Sequence, residues 1–400
     1  MAERIFEGLK VVDVASWIAG PVAATILADY GADVIKVEMP GVGDGYRALA
    51  AMPGMPASPI NYTWMMDARN KRSLTLNLKD PRGREILSKL IGTCDVYVTN
   101  QPMGMRRRFG LTYEDLAPLN PRMIYASLTA YGEQGPERDR EGFDLVAYWA
   151  RTGLMDLVRT GDVEPAQSLP GMGDHPSSVS LYAAIVTALF RRERTGVGGE
   201  VHTSLLANGL WAASCIAQAK LVDADFSAWR NAVRIGITRP LYRAADGRWL
   251  QFTMVRTPAE VEGMLAILGM GDVLSDPRYA TPEARLDRGA ELVERIRASI
   301  AKRPGTDWIR EFHAAQVPAS IMQTLDDLLF DPQLDINGMT RSSSEANGPA
   351  RVINHPVNVS GAERSAIVDA PQLGEHSDQI LRALGYSVTE IRDLWQNGVV

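Results

Sequence analysis

An α/β fold built on a mostly parallel sheet, with a smaller α+β domain beside it, is the architecture this 400-residue sequence predicts. Two observations predict it. Short apolar runs rich in Val, Ile, Leu and Thr alternate with helical stretches through the first half, and parallel strands need such crossovers. Beyond residue 221 the pattern changes to a hairpin signal followed by helices.

The runs LKVVDV (9–14) and ADVIKVE (32–38) read as buried strands. Between them Pro21 suits a first helical turn and Gly31 a helix end, which gives a β-α-β unit. SLTLNL (73–78), the amphipathic PRGREILSKLIG (81–92) and DVYVTN (95–100) repeat the unit, and MIYASLTAY (123–131) adds a strand. GEVHTSL reads as a further strand, in which His202 is expected to be a packed core residue. Helices are expected at 176–194, opening with Pro176 and closing at Thr195-Gly196, and at 203–221. Residues 222–240 read as a linker. Asp246-Gly247 within 241–252 marks a hairpin that opens a small α+β domain over 241–330. That domain continues through helical segments near 257–268 and 285–301 and the apolar run VPASIM (317–322), and 331–350 reads as the return linker.

Composition narrows the function classes. Hydrophobic residues make up 46% and charged residues 22%, the balance of a folded, water-soluble chain. Lys and Arg number 42 against 48 Asp and Glu, a net charge of −6, and nothing in that balance favours nucleic acid. The longest largely apolar stretch, Val14 to Ala28, is about 15 residues, short of the roughly 20 a membrane span needs. The N-terminal MAERIFEGLK lacks the layout of a secretory signal, and two cysteines, Cys94 and Cys215, are too few for a disulfide framework. A cytoplasmic protein with neither a metal site nor a membrane partner is expected.

No G-x-G-x-x-G, P-loop, H-E-x-x-H or G-x-S-x-G sequence occurs, which removes the commonest dinucleotide, ATPase, zinc-protease and serine-hydrolase readings. The first β-α turn, Ala15 to Pro21, is either an anion site at a helix N-terminus or a tight turn before a core helix. Arg106-Arg107-Arg108 follows a strand end, where it is either a solvated face or a phosphate site. Asp174, in Gly173-Asp174-His175-Pro176, is either a helix N-cap or an accessible carboxylate poised to attack an acyl carbon.

The succession GLKVVDVASWIAGP, NKRSLTLNLKDPRGREIL, DVYVTNQPMG, GFDLVAYWARTG, GMGD, RRERTGVGGEVHTSLL, DPRYATPEARLDR and QLGEHSDQILRALGYSVTEI closely resembles the class III CoA-transferases, the formyl-CoA transferase or CaiB/BaiF family, over nearly the whole chain and in the same order. The resemblance implies that Asp174 is a nucleophile, passing through a mixed anhydride and an aspartyl-CoA thioester. Asp144 would assist it or cap a helix. For coenzyme A, bound as substrate in acyl-CoA form, the matching positions are Ala19, Met39, Asn70, Lys71, Arg72, Asn100, Arg108 and Phe109, with Arg72 and Arg108 on phosphate. Trp17, Ile18, Trp64 and Met65 would line an acyl pocket or belong to the core.

Two departures bear on the substrate. Ile18 stands where oxalate-specific members carry Gln, and Asp225 to Tyr242 lacks the glycine run that covers their nucleophile. The related α-methylacyl-CoA racemases carry a histidine base where this chain has Phe143, so transfer is preferred over isomerisation. A non-catalytic CoA-binding subunit is the third reading. The resemblance further implies an interlocked homodimer and a Rossmann-like large domain, 1–221, completed by 351–400.

Overall fold

The computed structural model describes residues 4–159, 163–227, 236–255, 257–343 and 351–400. By internal packing these fall into two compact units. One comprises the described residues of Met1–Arg159, Glu164–Ala219 and Asp335–Val400, and the other those of Thr160–Val163 and Lys220–Leu334.

In the first unit the chain runs β1 (Lys10–Asp13), α1 (Ala19–Asp29), β2 (Asp33–Glu38), α2 (Tyr62–Asp67), β3 (Lys71–Thr75), α3 (Pro81–Ile91) and β4 (Val96–Thr99). It continues through α4 (Met103–Phe109), α5 (Tyr113–Leu116), β5 (Ile124–Thr129), a π-helical turn (Leu145–Ala150), α6 (Leu154–Val158), α7 (Asp174–Thr195), β6 (Gly199–Ser204), α8 (Leu205–Ala212) and α9 (Ser214–Leu221). The six strands lie in the order β3-β2-β1-β4-β5-β6, every neighbouring pair parallel. That order is Rossmann-like: the connection direction reverses between β1 and β4, and ligands of such sheets bind in the crevice outside the carboxyl ends there.

Both faces of the sheet are covered, which explains strands apolar on both sides. On one face Ala23, Ala24, Ile26 and Leu27 of α1 pack with Leu181 and Ile185 of α7 over Val11, Val96, Val98 and Ala126. On the other, Ile86, Leu87, Leu90 and Ile91 of α3 pack over Val12, Tyr97 and Tyr125 with Ile380 and Leu381 of α17 (Ser377–Ala383) and Ile391 and Leu394 of α18 (Val388–Gln396). Gly31 closes α1 as expected, its left-handed φ of 103° letting its N–H reach the Ala28 carbonyl.

The second unit has its own core. Tyr242, Leu250, Phe252, Leu292, Ile296, Trp308 and Phe312 are buried together around an antiparallel sheet of β7 (Tyr242–Arg243), β8 (Trp249–Phe252) and β9 (Ala319–Ile321). Helices α10 (Pro258–Ile267), α11 (Gly271–Ser275), α12 (Pro282–Asp287), α13 (Gly289–Ile300), α14 (Gly305–Ala314) and α15 (Leu325–Leu329) complete it. The hairpin expected at Asp246-Gly247 is present, with Arg243 opposite Trp249.

Three expectations need correction. The helix expected over 203–221 is two helices, because β6 runs to Ser204 and Ala213 ends α8. The stretch 331–350, read as a linker, carries α16 (Pro332–Ile336) and β10 (Thr340–Ser342), which pairs antiparallel with β11 (Arg351–Ile353); residues 344–350, like 228–235 in the 222–240 stretch, lie outside the described residues. His202 is exposed rather than packed in the core, because β6 is an edge strand whose side chains alternate in exposure.

Candidate active site

The carboxyl ends of the central strands carry two cavities. The larger, about 630 Å³, is lined by Ala15 and Ser16 after β1, Lys36, Glu38 and Met39 at the end of β2, Leu76 to Lys79 after β3, and Met105, Arg108 and Phe109 of α4. The smaller, about 260 Å³, is lined by Trp17, Ala19, Asn100, Thr129, Phe143 and Asp174 among others. Ser16, Gln101 and Met105 belong to both walls, so the cavities adjoin.

The turn between them is fixed by side chains distant in sequence. Asn100 accepts a hydrogen bond from the Ser16 N–H (2.9 Å) and donates one to the Ser16 carbonyl (2.6 Å). Trp17 adopts a left-handed φ of 65°, unusual for a bulky residue and held here because its N–H donates to Asp44 (2.9 Å). Gly20 follows, where a Cβ would fall 2.6 Å from that of Ala15. Beneath the turn lie four buried charges: Lys71 pairs with Asp13 (3.0 Å) and Lys36 with Asp44 (2.9 Å). Burial alone would depress both ammonium groups. Asp13, Asp44 and Glu38 nevertheless push Lys36 above its ordinary range, whereas Lys71 stays lowered.

Asp174 is the first residue of α7, and Gly173 occupies the cap position, so the N-cap reading of Asp174 is replaced. The helix starts two residues earlier than its Pro signal suggests. The Asp174 side chain is buried, the residue being 9% exposed. Burial, then the negative charges of Asp144 and Asp67, push its pKa up to about 7, with His175 acting in the opposite direction. Asp144 caps the π-helical turn through Leu145 N–H (2.8 Å) and with its other oxygen accepts from Gly173 N–H (3.1 Å), so it holds the loop that presents Asp174. Gly173 has no room for a side chain: a Cβ would sit 2.7 Å from Tyr148 Cγ and 2.9 Å from Asp144 Cβ.

The remaining sequence-derived residues divide. Met39, Arg108 and Phe109 meet at the large cavity, and Ala19, Asn100, Trp17 and Phe143 at the small one, where the Trp17 and Phe143 rings pack edge-on at 5.3 Å. Ile18 and Trp64 belong instead to a buried cluster with Val22, Tyr46 and Ala370, and half-buried Met65 lines neither cavity. Asn70, Lys71 and Arg72 line neither. Asn70 bonds Asp29 (2.7 Å) and Lys71 is the buried cation above. Arg72 pairs with Asp33 (2.6 Å) at the amino edge of the sheet, whereas Arg108 lies on the wall of the larger cavity. Within the arginine run, Arg106 is neither a solvated face nor a phosphate ligand; it is fully buried on Glu133 (2.7 Å).

Sequence reasoning passed over His175, Asp67 and Tyr46. His175 lies against Asp67 at 3.3 Å, and the Tyr46 hydroxyl donates to the same carboxylate. The signal available was the adjacency of His175 to Asp174. Among the described residues no group of three or more His, Cys, Asp or Glu is arranged to hold a metal, and no helix is long and apolar enough to cross a membrane.

A doubly wound sheet with an open crevice at its carboxyl edge and a buried carboxylate in the wall has the layout of a ligand-binding α/β protein. Comparison with known proteins narrows that class. A sequence model of CoA-transferase family III matches residues 6–377, and the chain belongs to that family and is a CoA-transferase. It is 29% identical to (R)-2-hydroxy-4-methylpentanoate CoA-transferase of Clostridioides difficile over 99% of both chains. It is 31% identical to cinnamoyl-CoA:phenyllactate CoA-transferase of Clostridium sporogenes, over 98% of this chain and 96% of the other. Among solved structures, a CaiB/BaiF family protein from Brucella suis superimposes with a TM-score of 0.81 at 28% identity, covering 94% of this chain and 98% of the other.

Proposed function

We propose that the protein moves CoA from an acyl-CoA donor to a carboxylic acid through covalent catalysis by Asp174. The carboxylate attacks the donor thioester carbonyl, the C–S bond breaks, and CoA thiolate leaves a mixed anhydride. The thiolate attacks the aspartyl carbonyl, expelling the donor acid as carboxylate and leaving an aspartyl-CoA thioester. The acceptor carboxylate then attacks this thioester, CoA thiolate leaves again, and its attack on the acceptor acyl carbon of the new anhydride yields the product and regenerates Asp174.

One observation carries this reading: the buried Asp174 carboxylate opens on a cavity that adjoins one large enough to take much of a nucleotide-bearing thiol. Arg108, on the larger wall, is the proposed phosphate partner, with Met39 and Phe109 as apolar contacts. Trp17 and Phe143 form an aromatic wall beside the nucleophile, which favours an acid with a hydrocarbon or aromatic part. Racemisation is disfavoured because His175, the imidazole next to Asp174, has both nitrogens facing acceptors and so offers no free base.

Incubation with acyl-CoA followed by hydroxylamine or borohydride should modify the peptide bearing Asp174, read by mass spectrometry. Asp174→Asn should lower exchange by at least about a thousandfold. Because the carboxylate must be ionised to attack, the wild-type rate should fall as pH drops below about 7. Full exchange by the Asn variant would exclude the mechanism.

A further inference from the structure

Besides Asp144, a second side chain ties down the loop before α7. His175 Nδ1 lies 3.0 Å from the Gly171 carbonyl, and Nε2 lies 3.3 Å from both oxygens of Asp67. A carbonyl only accepts, and an ionised carboxylate only accepts, so both ring nitrogens must donate. The ring that satisfies both contacts is the imidazolium. The Gly171 backbone is shaped to admit it: φ is +84°, and a Cβ there would fall 2.8 Å from Nδ1.

Asp67 is itself prepared to receive that charge. It ends α2 and is 4% exposed. The Tyr46 hydroxyl donates to its carboxylate, and Thr25 on α1 donates to its backbone carbonyl. The charged and titratable groups around the ring are Asp67 from α2, Asp174 on its own helix, Tyr46 behind Asp67, and Arg69 and His355 across a 260 Å³ cavity that the ring partly lines. Arg69 is committed to Asp29 (2.7 Å). His355 is held neutral, its pKa lowered to about 4 chiefly by burial. Asp67 is thus the partner that makes a hydrogen-bonded ion pair with His175.

We propose that His175 is a positioning residue for the nucleophile, an imidazolium strapped between Gly171 and Asp67 that fixes the presenting loop and keeps a positive charge beside the Asp174 carboxylate. The proposal rests on the role assigned to Asp174 above. Burial opposes the charge, but the Asp67 bond and charge, the Gly171 carbonyl and Asp174 together push the imidazole up to about 9. The effect on Asp174 has the opposite sign: His175 lowers a carboxyl that burial, Asp144 and Asp67 all raise.

The test has one arm that needs no turnover. In the full-length protein, NMR titration of ¹⁵N-histidine, with His175 assigned by loss of its signal in His175→Gln, should show both ring nitrogens protonated at pH 7. Asp67→Asn should bring that ionisation down into the range of an ordinary imidazole. A neutral His175 at pH 7 in the wild type overturns the proposal.

The second arm is the pH profile of kcat/KM. His175→Gln should move the acid limb upward by about one unit, a tenfold loss on that limb, and His175→Lys, which keeps a cation facing Asp67, should return it toward the wild-type position. An unmoved limb in a His175→Gln protein with unchanged circular dichroism overturns the proposal. Full exchange by Asp174→Asn would remove the nucleophile and the positioning role together, and the titration distinguishes that failure from a failure of His175 alone.

Discussion

Gly173 shows how tightly the site is specified at the level of one residue. Its N–H is bound by Asp144, and a Cβ in its place would run into Tyr148. Gly173→Ala should therefore cost about 1–3 kcal/mol of stability through overpacking and, by displacing the loop, slow exchange more than it weakens substrate binding. Urea denaturation and the separate values of kcat and KM check this. Asp174 could be singled out because its Gly-Asp step before a helix matches a known pattern. His175 could not, because its partner Asp67 is 108 residues away. Arg106 was misread for a similar reason: a run of three arginines looks solvated, and nothing local indicates that Glu133 folds over the first of them.

Elements converge on the crevice from several parts of the chain, and α4 is held there by a buried arginine. Its Arg106 is fully buried, donating twice to Glu133 (2.9 and 2.7 Å) and once to the Gln101 carbonyl (2.8 Å). This anchor sets where Met105, Arg108 and Phe109 meet the large cavity. Arg106→Ala would strand the Glu133 carboxylate, which is 8% exposed. A loss on the order of 3–5 kcal/mol in unfolding free energy is expected, together with a raised KM for acyl-CoA, measured by chemical denaturation and steady-state kinetics. The strands themselves were readable from alternation, since each is a short apolar run between helical stretches. Their spatial order was not. A parallel strand carries no local mark of its neighbour, so β1 beside β4 is set by how α1 and α3 cover opposite faces.

For the molecule as a whole, large apolar side chains remain uncovered in the single chain. Trp211 is 79% exposed, Leu221 78%, Leu325 78% and Phe330 88%, and exposed apolar side chains of this size are what a subunit interface covers. The proposed assembly is a homodimer, for which an interlocked form is the expectation carried from the sequence. Sedimentation equilibrium should give twice the chain mass, and Trp211→Glu should shift it toward monomer. A monodisperse monomer at micromolar concentration would rule this assembly out. The change of pattern beyond residue 221 lies beside the division at Lys220, where the second unit takes up the chain well before the hairpin at Asp246-Gly247. The elements inside 331–350 stayed hidden, because β10 is three residues long and its partner β11 begins only at Arg351.

The partition between the two cavities has a consequence for substrate choice. Ser16, which belongs to both walls, is clasped by Asn100 and is the proposed crest between them. On the proposed mechanism the crest works as a gauge: a thiol carrier must have a head that fills one side and an arm that clears the rim to present sulfur to Asp174. A truncated thioester can enter but is not held at the right depth, so carriers are sorted by reach before any chemistry begins.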